Sequence, residues 1–148
     1  IKDSVTHIKS KAFAVRIIRF YQYLSTKKHE HILSKQILRS GTSIGANVRE
    51  SYNAQSNADF INKLSIALKE ANETLYWLEL FLESEIINKD EYDSLFQDLD
   101  ELIALLTSTI KTSKKIVSQS KTIGNEDSDY QWTEFESFRE KRTGNLRR

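Results

Sequence analysis

The stretch SGTSIGANVRE, from Ser40 to Glu50, places two glycines one helical turn apart, at Gly41 and Gly45. The chain has only four glycines and no proline, and its apolar residues recur at the three-to-four spacing of helices. A glycine in a helix interior costs about 1 kcal/mol relative to alanine. Small residues one turn apart allow two helix backbones to approach closely. We therefore interpret this stretch as the middle of a helix that packs tightly against another helix.

Polar residues in the same stretch suggest further roles. The hydroxyl groups of Ser40, Thr42 and Ser43 can bond to carbonyls one turn back and bend the helix locally. Asn47 and Glu50 lie about one turn apart on the same face, where they can join a buried polar network that fixes the helix register. A ligand site around the two glycines is the alternative interpretation.

Outward from this stretch, the apolar pattern predicts four helices joined by short links. Ser56 and Asn88 are expected to cap the third and fourth helices, and Asp59 and Glu91 are the acidic residues of their first turns. Short links and amphipathic helices predict an all-α, antiparallel up-down four-helix bundle. The predicted bounds are Val5 to Lys27, Ile32 to Asn53, the residues after Ser56 to about Ser84, and the residues after Asn88 to about Lys115.

The first helix carries two apolar stripes. One stripe is enough for a bundle core, so a second stripe predicts a second buried contact. That contact is either a sharply tilted neighbouring helix or another subunit. The first stripe contains Val5, Ile8, Ala12 and Val15, and the second contains Phe13, Ile17, Phe20 and Leu24.

The helical pattern fades after Lys115. We therefore predict a bundle at residues 1–117, followed by a linker and tail at residues 118–148. Trp132, Phe135 and Phe138 recur at three-residue spacing in this tail. They are compatible with a short docking helix and with a mobile tail.

Composition and motifs disfavour several classes of protein. The chain has 148 residues and no cysteine, which rules out disulfides and thiolate chemistry. It has no apolar run of about 18 residues, so we expect no membrane partner and a cytoplasmic location. The glycine stretch lacks the lysine of a phosphate loop, and no Glu-x-x-His pair exists for a di-metal bundle. We therefore expect no enzyme activity, no metal and no cofactor.

Isolated titratable residues fit ordinary surface positions. His29 and His31 flank Glu30 at a helix junction, and a lone histidine pair without cysteine is a weak metal signal. The carboxylates of the fourth helix fit a solvated face better than an acid–base pair. They are Asp90, Glu91, Asp93, Asp98, Asp100 and Glu101.

The net charge of +1 conceals a strong asymmetry. Residues 1–29 hold seven Lys/Arg against one Asp, whereas residues 57–120 hold six Lys against twelve Asp/Glu. This separation predicts one of two things. The basic side binds a polyanion, or it contacts the acidic helices of a neighbouring copy.

A row of cations follows the first helix. Lys2, Lys9 and Arg16 are spaced by seven residues and so share one line, with Lys27 near the same direction and Arg19 off it. Such a row can follow phosphates, and a solvated face is the alternative. A second cluster closes the fourth helix at Lys111, Lys114 and Lys115, where cations also favour the helix dipole. The candidate nucleic-acid-binding residues are Lys2, Lys9, Arg16, Arg19, Lys27, Lys114 and Lys115.

The runs LSKQILRSGTSIGANVRES (33–51) and NADFINKLSIALKEANETLYWLELF (57–81) resemble the bacterial four-helix-bundle family of 23S ribosomal RNA intervening-sequence proteins. That family also takes in the accessory variability determinant (Avd-like) proteins of diversity-generating retroelements. The resemblance spans roughly residues 5–115. It rests on Ser43, Asn47 and Glu50, with the glycines beside them, and on the Asp-Phe-x-x-Lys-Leu start of the next helix at Asp59 to Leu64. Many relatives have a proline inside the second-helix motif, and this chain has Gly45 in that neighbourhood. The tail after about Gly124 departs from the family.

The resemblance implies a homopentameric ring whose basic surfaces bind nucleic acid, structured RNA or DNA. In the retroelement branch of the family the ring partners a reverse transcriptase. The leading hypothesis is therefore a non-enzymatic nucleic-acid-binding ring. The alternative is a protein–protein scaffold that does not bind nucleic acid.

Overall fold

The computed structural model describes residues 4–123, and their side chains as far as residue 120. It contains four helices, as the pattern predicted, and their bounds agree with the prediction except at the end of the fourth helix. The fold class is confirmed: an all-α four-helix bundle. The helices are α1 (Val5–Thr26), α2 (Leu33–Ser51), α3 (Asn57–Glu83) and α4 (Lys89–Ile123).

Side chains near each helix start explain why the helices begin there. The Ser56 hydroxyl accepts a hydrogen bond from the Asp59 backbone N–H at 3.1 Å, as predicted. Asn88 and Glu91 form a reciprocal capping box, with both side chain–backbone distances at 2.9 Å. The first helix is capped by Ser4. Both predicted caps are therefore confirmed.

The start of α2 is stabilised in a way that the sequence did not reveal. The Glu30 carboxylate accepts hydrogen bonds from the backbone N–H groups of Leu33 at 2.9 Å and Ser34 at 2.6 Å. Burial opposes ionisation of Glu30, but these donors outweigh it and lower the pKa of the carboxyl. His29, with φ of 55°, lies in the left-handed region next to Glu30. A glutamate thus replaces the usual Ser, Thr, Asp or Asn cap.

Contacts between the helices define an antiparallel arrangement. Helix α1 packs against α2 and α4, and α3 packs against the same two helices, so α1 and α3 lie on a diagonal. Arg39 pairs with Glu70 and Glu73, while Glu50 pairs with Lys63. Since residue numbers rise along α2 as they fall along α3, these two helices run in opposite directions.

The close approach predicted from the two glycines occurs between α1 and α2. A Cβ atom on Gly41 would lie 2.8 Å from both γ carbons of Ile17, which is fully buried. A Cβ atom on Gly45 would lie 3.2 Å from the carbonyl oxygen of Ser10. A Cβ atom at either position would therefore force its neighbour on α1 to shift, the buried Ile17 side chain at Gly41 and the Ser10 backbone at Gly45. The glycines therefore serve helix packing.

The polar residues of this stretch bond mostly within α2. The hydroxyls of Thr42 and Ser43 donate to carbonyls one turn back, at 2.7 and 2.6 Å, as predicted. The predicted network of Asn47 and Glu50 does not form. Asn47 donates to the Ser43 carbonyl at 2.9 Å, and the exposed Glu50 reaches Lys63 on α3. A helix carbonyl satisfies Asn47, so no buried network is needed.

Only one of the two apolar stripes of α1 lies in the core. The second stripe, Phe13 to Leu24, is buried in the main apolar cluster. Of the first stripe, Val5 is buried, whereas Ile8 and Val15 are 44% and 43% exposed. Ile18, which belonged to neither stripe, is 42% exposed. None of the helices in residues 4–123 therefore provides the second contact predicted for α1.

The fourth helix runs past the predicted boundary at residue 117, to Ile123. The first part of the predicted linker, residues 118–123, is therefore helical. The rest of the linker and the aromatic tail lie outside the described residues. In the part that is described, no helix is both long and apolar enough to cross a membrane.

Candidate assembly and nucleic-acid surfaces

Two cations of the predicted basic row contact α4 of the same chain. Lys9 forms an ion pair with Glu101. Arg16 donates to the Asp98 carboxylate at 2.7 Å, and to the hydroxyl and carbonyl oxygens of Ser94 at 2.7 and 3.0 Å. These contacts hold α1 against α4.

These contacts change the interpretation of both helices. Asp98 and Glu101 were expected on a solvated face, but they bind the cations of α1. Ser94, Asp98 and Glu101 lie on one face of α4 at three-to-four spacing. This spacing is visible in the sequence and could have indicated that the three residues contact the same neighbouring helix. Each pair stays 36–47% exposed in its side chains, so it contributes about 0–1 kcal/mol. The carboxylates of α4 therefore neutralise part of the positive charge of the basic row, which reduces the charge available to a polyanion.

A cleft of about 520 Å³ opens beside this seam, between α1 and the start of α4. Its floor contains Phe20 and Leu95, both nearly buried. Tyr23 also lines it, and interaction of its hydroxyl with the Glu91 carboxylate raises the pKa of the phenol. Arg19 lies in its wall together with Asp90 and Glu91, so cations and carboxylates share the cleft.

The other predicted binding residues differ in position. Lys2 lies outside the described residues. Arg19 and Lys27 are exposed at different places along α1 and its link, and the structure does not bring them together. Lys111, Lys114 and Lys115 are exposed while Ile110 and Ser113 beside them are buried. The three lysines therefore point away from the core, and within residues 4–120 none of them has an ion-pair partner. Because α4 continues to Ile123, they lie more than two turns before its end, and the expected interaction with the helix dipole does not apply to them.

A free surface lies on the side of α1 opposite the core, and we call it the α1 outward face. It comprises Ile8, Lys11, Val15, Ile18 and Arg19, all exposed. Helix α1 contains no aspartate or glutamate. Lys11 and Arg19 have no ion-pair partner among the described side chains. This face is therefore apolar in its middle and positive at its edges.

A surface of opposite character lies where α3 meets α4, and we call it the α3–α4 acidic surface. It comprises Glu79, Glu83, Tyr92, Asp93 and Phe96. The Tyr92 and Phe96 rings stack at 5.5 Å between centroids and are partly exposed. Burial raises the pKa of Tyr92, and the charges of Glu79, Asp93 and Glu83 raise it further against the opposing effect of Lys89.

The acidic surface keeps most of its charge. Asp93 pairs with Lys89 at 2.6 Å. Glu79 and Glu83 are exposed and have no ion-pair partner in the described part of the chain. The two glutamates belong to α3 and the two rings to α4, so only the packing of α3 on α4 brings them together.

No group of three or more metal-binding side chains occurs among the described residues. His29 and His31 are exposed, as expected. The fold and these surfaces define a class: an antiparallel four-helix bundle with candidate surfaces for macromolecules.

Within that class, the chain belongs to the family of 23S rRNA-intervening sequence proteins, which it matches over residues 2–108. A crystal structure of an S23 ribosomal protein family member of unknown function from Bacteroides thetaiotaomicron is 58% identical, with a TM-score of 0.71. The match covers 72% of this chain and 99% of that one. No curated protein matches the chain. The family match ends before Lys111, so the lysine cluster of α4 lies beyond it.

Proposed function

We propose that this protein is a non-enzymatic bundle that assembles as a homopentameric ring and binds structured RNA or DNA through exposed lysines. The observation that carries the binding part is the cluster of Lys111, Lys114 and Lys115. These side chains point away from the core and, within the described residues, form no ion pairs, unlike Lys9 and Arg16. Because a ring repeats the cluster in each copy, the contributions to polyanion affinity add up.

The assembly part is supported by the α1 outward face. Three large apolar side chains, Ile8, Val15 and Ile18, lie exposed on one helix face. Complete burial of such a side chain from a fully exposed state contributes about 1.5–3 kcal/mol, and less than half of that remains to be gained here because each side chain is only 42–44% exposed. In the proposed ring, this face packs against a second copy of the chain.

Recognition of the nucleic acid is expected to depend on backbone and shape. Lysine ammonium groups contact phosphates as point charges and carry no base information. In the retroelement branch of the family the additional partner is a reverse transcriptase, and the same partnership is part of the proposal here. A reverse-transcriptase gene next to the gene of this protein would support it.

The test is binding of a fluorescent structured RNA and a matched DNA duplex across a salt series. Wild-type protein should bind both, with affinity that falls steeply as salt rises. Changing Lys114 and Lys115 to Glu should weaken binding to every sequence alike and flatten the salt dependence, by about one unit of slope for each phosphate that the variant no longer binds. Lys35 and Lys69, both exposed on other helices, provide the matched control when changed to Glu.

A scaffold without nucleic-acid binding is the second candidate, and the ion pairs of Lys9 and Arg16 with α4 favour it. They show that basic and acidic helices of this protein satisfy each other. If a correctly assembled wild-type protein fails to bind either probe at low salt, the lysine cluster does not serve binding, and the scaffold function takes its place.

A further inference from the structure

We infer that the α1 outward face of one copy packs against the α3–α4 acidic surface of the next copy, in a head-to-tail contact that closes the ring. This inference rests on the proposed function, and it names the two surfaces that join the copies. The occupant of the α1 outward face is thus a second copy of this chain.

Charge complementarity is the first argument. The α1 outward face carries Lys11 and, at its edge toward α4, Arg19, and α1 itself contributes no carboxylate. Arg19 shares the cleft with Asp90 and Glu91 of α4 but forms no ion pair with either among the described residues. The α3–α4 acidic surface carries Glu79 and Glu83, and no cation of residues 4–120 pairs with either. Both sets are exposed and remain available to a neighbouring molecule. Opposite charges at the rim of an interface steer association and fix its register.

The apolar middle of each surface is the second argument. Ile8, Val15 and Ile18 are exposed on the outward side of α1, where the described part of the chain does not cover them. Across the proposed contact they meet the partly exposed, stacked rings of Tyr92 and Phe96. An apolar centre with a polar, charged rim is the usual composition of a protein interface.

The position of the two surfaces is the third argument. Because α1 and α3 lie on a diagonal of the bundle, the α1 outward face points away from α3. The α3–α4 acidic surface lies on another side, so one copy can use both surfaces at once, each with a different neighbour. Contacts of this head-to-tail kind generate closed rings when the rotation between copies closes.

A symmetric contact between two α1 outward faces is disfavoured by the same charges. It would bring Lys11 and Arg19 of one copy next to the same residues of the other. Like charges at close range cost free energy and suppress that pairing.

The test is a charge exchange in the full chain, with mass measured by light scattering and native mass spectrometry. The first variant carries Lys11→Glu and Arg19→Glu, the second carries Glu79→Lys and Glu83→Lys, and the third carries all four changes. The control carries Lys114→Glu and Lys115→Glu, which lie outside both surfaces. All changed positions are exposed, so circular dichroism and thermal melting should show folded protein in each case.

The first and second variants should fall to the 17.2 kDa of one chain, whereas the third variant and the control should keep the wild-type mass. The inference is overturned if the first or the second variant assembles like wild type. It is also overturned if the third variant, with all four changes, is folded but stays monomeric. It is also overturned if assembly is lost instead on changing Trp132, Phe135 and Phe138 to Ser, because the tail would then be the occupant. If the wild-type protein is monomeric, the proposed ring itself is wrong. If the wild-type protein and the charge variants all assemble, the ring stands and only the proposed contact between the two surfaces is wrong.

Discussion

At the residue scale, glycine decides how closely α1 and α2 can pack. The backbone of α2 reaches the carbonyl of Ser10 because Gly45 has no side chain, and the buried Ile17 fills the space in front of Gly41. Each glycine weakens the helix by about 1 kcal/mol relative to alanine. Close packing of the two helices offsets that cost.

Replacing Gly45 with Leu should therefore destabilise the fold by roughly 1–3 kcal/mol, because the new side chain overpacks the crossing against Ser10. Urea unfolding monitored by circular dichroism measures the change. Ala46→Leu is the matched control, since Ala46 is exposed on the same helix, and its stability should stay near that of wild type. Unchanged stability and assembly of the Gly45 variant would show that the close-approach explanation is wrong.

At the scale of single elements, the caps determine where the helices begin, and that of α2 depends on protonation. The pKa of Glu30 lies below its ordinary value of 4.5 in the folded protein because backbone donors of α2 favour the ionised form. A lowered folded-state pKa contributes stability that is present above the ordinary pKa. That stability is lost as the pH falls through the folded-state pKa.

Glu30→Gln should cost about 1 kcal/mol at pH 7, the usual effect of weakening a helix cap. The difference between wild type and variant should shrink at pH values below the folded-state pKa, where the wild-type carboxyl is itself protonated. Urea unfolding of both proteins at pH 7 and at the lowest pH at which both are still folded tests this. Glu85→Gln, on the exposed α3–α4 link, removes the same charge without touching a helix start. A difference that is equally large at both pH values would exclude the charged-cap explanation.

The α1–α4 seam is the other feature at this scale. The pairs of Lys9 with Glu101 and Arg16 with Asp98 are partly solvated and contribute little stability. In the proposed function, their larger effect is on which cations remain available. They occupy the centre of the predicted basic row and leave Lys11, Arg19 and the lysines of α4 for other partners.

At the scale of the whole molecule, α1 exposes apolar side chains that the core does not cover, and in the proposed ring these side chains form the contact between copies. Val15 is 43% exposed in the single chain, so a charge there costs the monomer little. In the proposed assembly, the same position would be buried against a neighbouring copy.

Val15→Asp should therefore abolish assembly while leaving the thermal stability of the monomer nearly unchanged. Taking a carboxylate out of water at an interface costs several kcal/mol, and this cost remains large even with Lys11 and Arg19 one helical turn away on either side. Ala46→Asp is the control, because it introduces the same charge at an exposed position of α2.

The wild-type assembly should also survive about 1 M salt, where the Debye length is near 3 Å and surface charges are screened. Native mass spectrometry of wild type, Val15→Asp and Ala46→Asp at low and high salt tests both expectations. If Val15→Asp assembles, the proposed role of α1 is wrong.

Local sequence alone determined the helices, two of their caps, the core stripes and the tight crossing at Gly41 and Gly45. These features depend on the spacing of apolar residues, on capping chemistry and on side-chain size, which neighbouring residues specify. Three other features depend on packing between distant segments. The pairing of Lys9 and Arg16 with α4, the exposure of Ile8 and Val15, and the meeting of Glu79 and Glu83 with Tyr92 each require the relative rotation of two helices. The sequence shows which residues share a face of one helix, whereas the tertiary structure decides what that face meets.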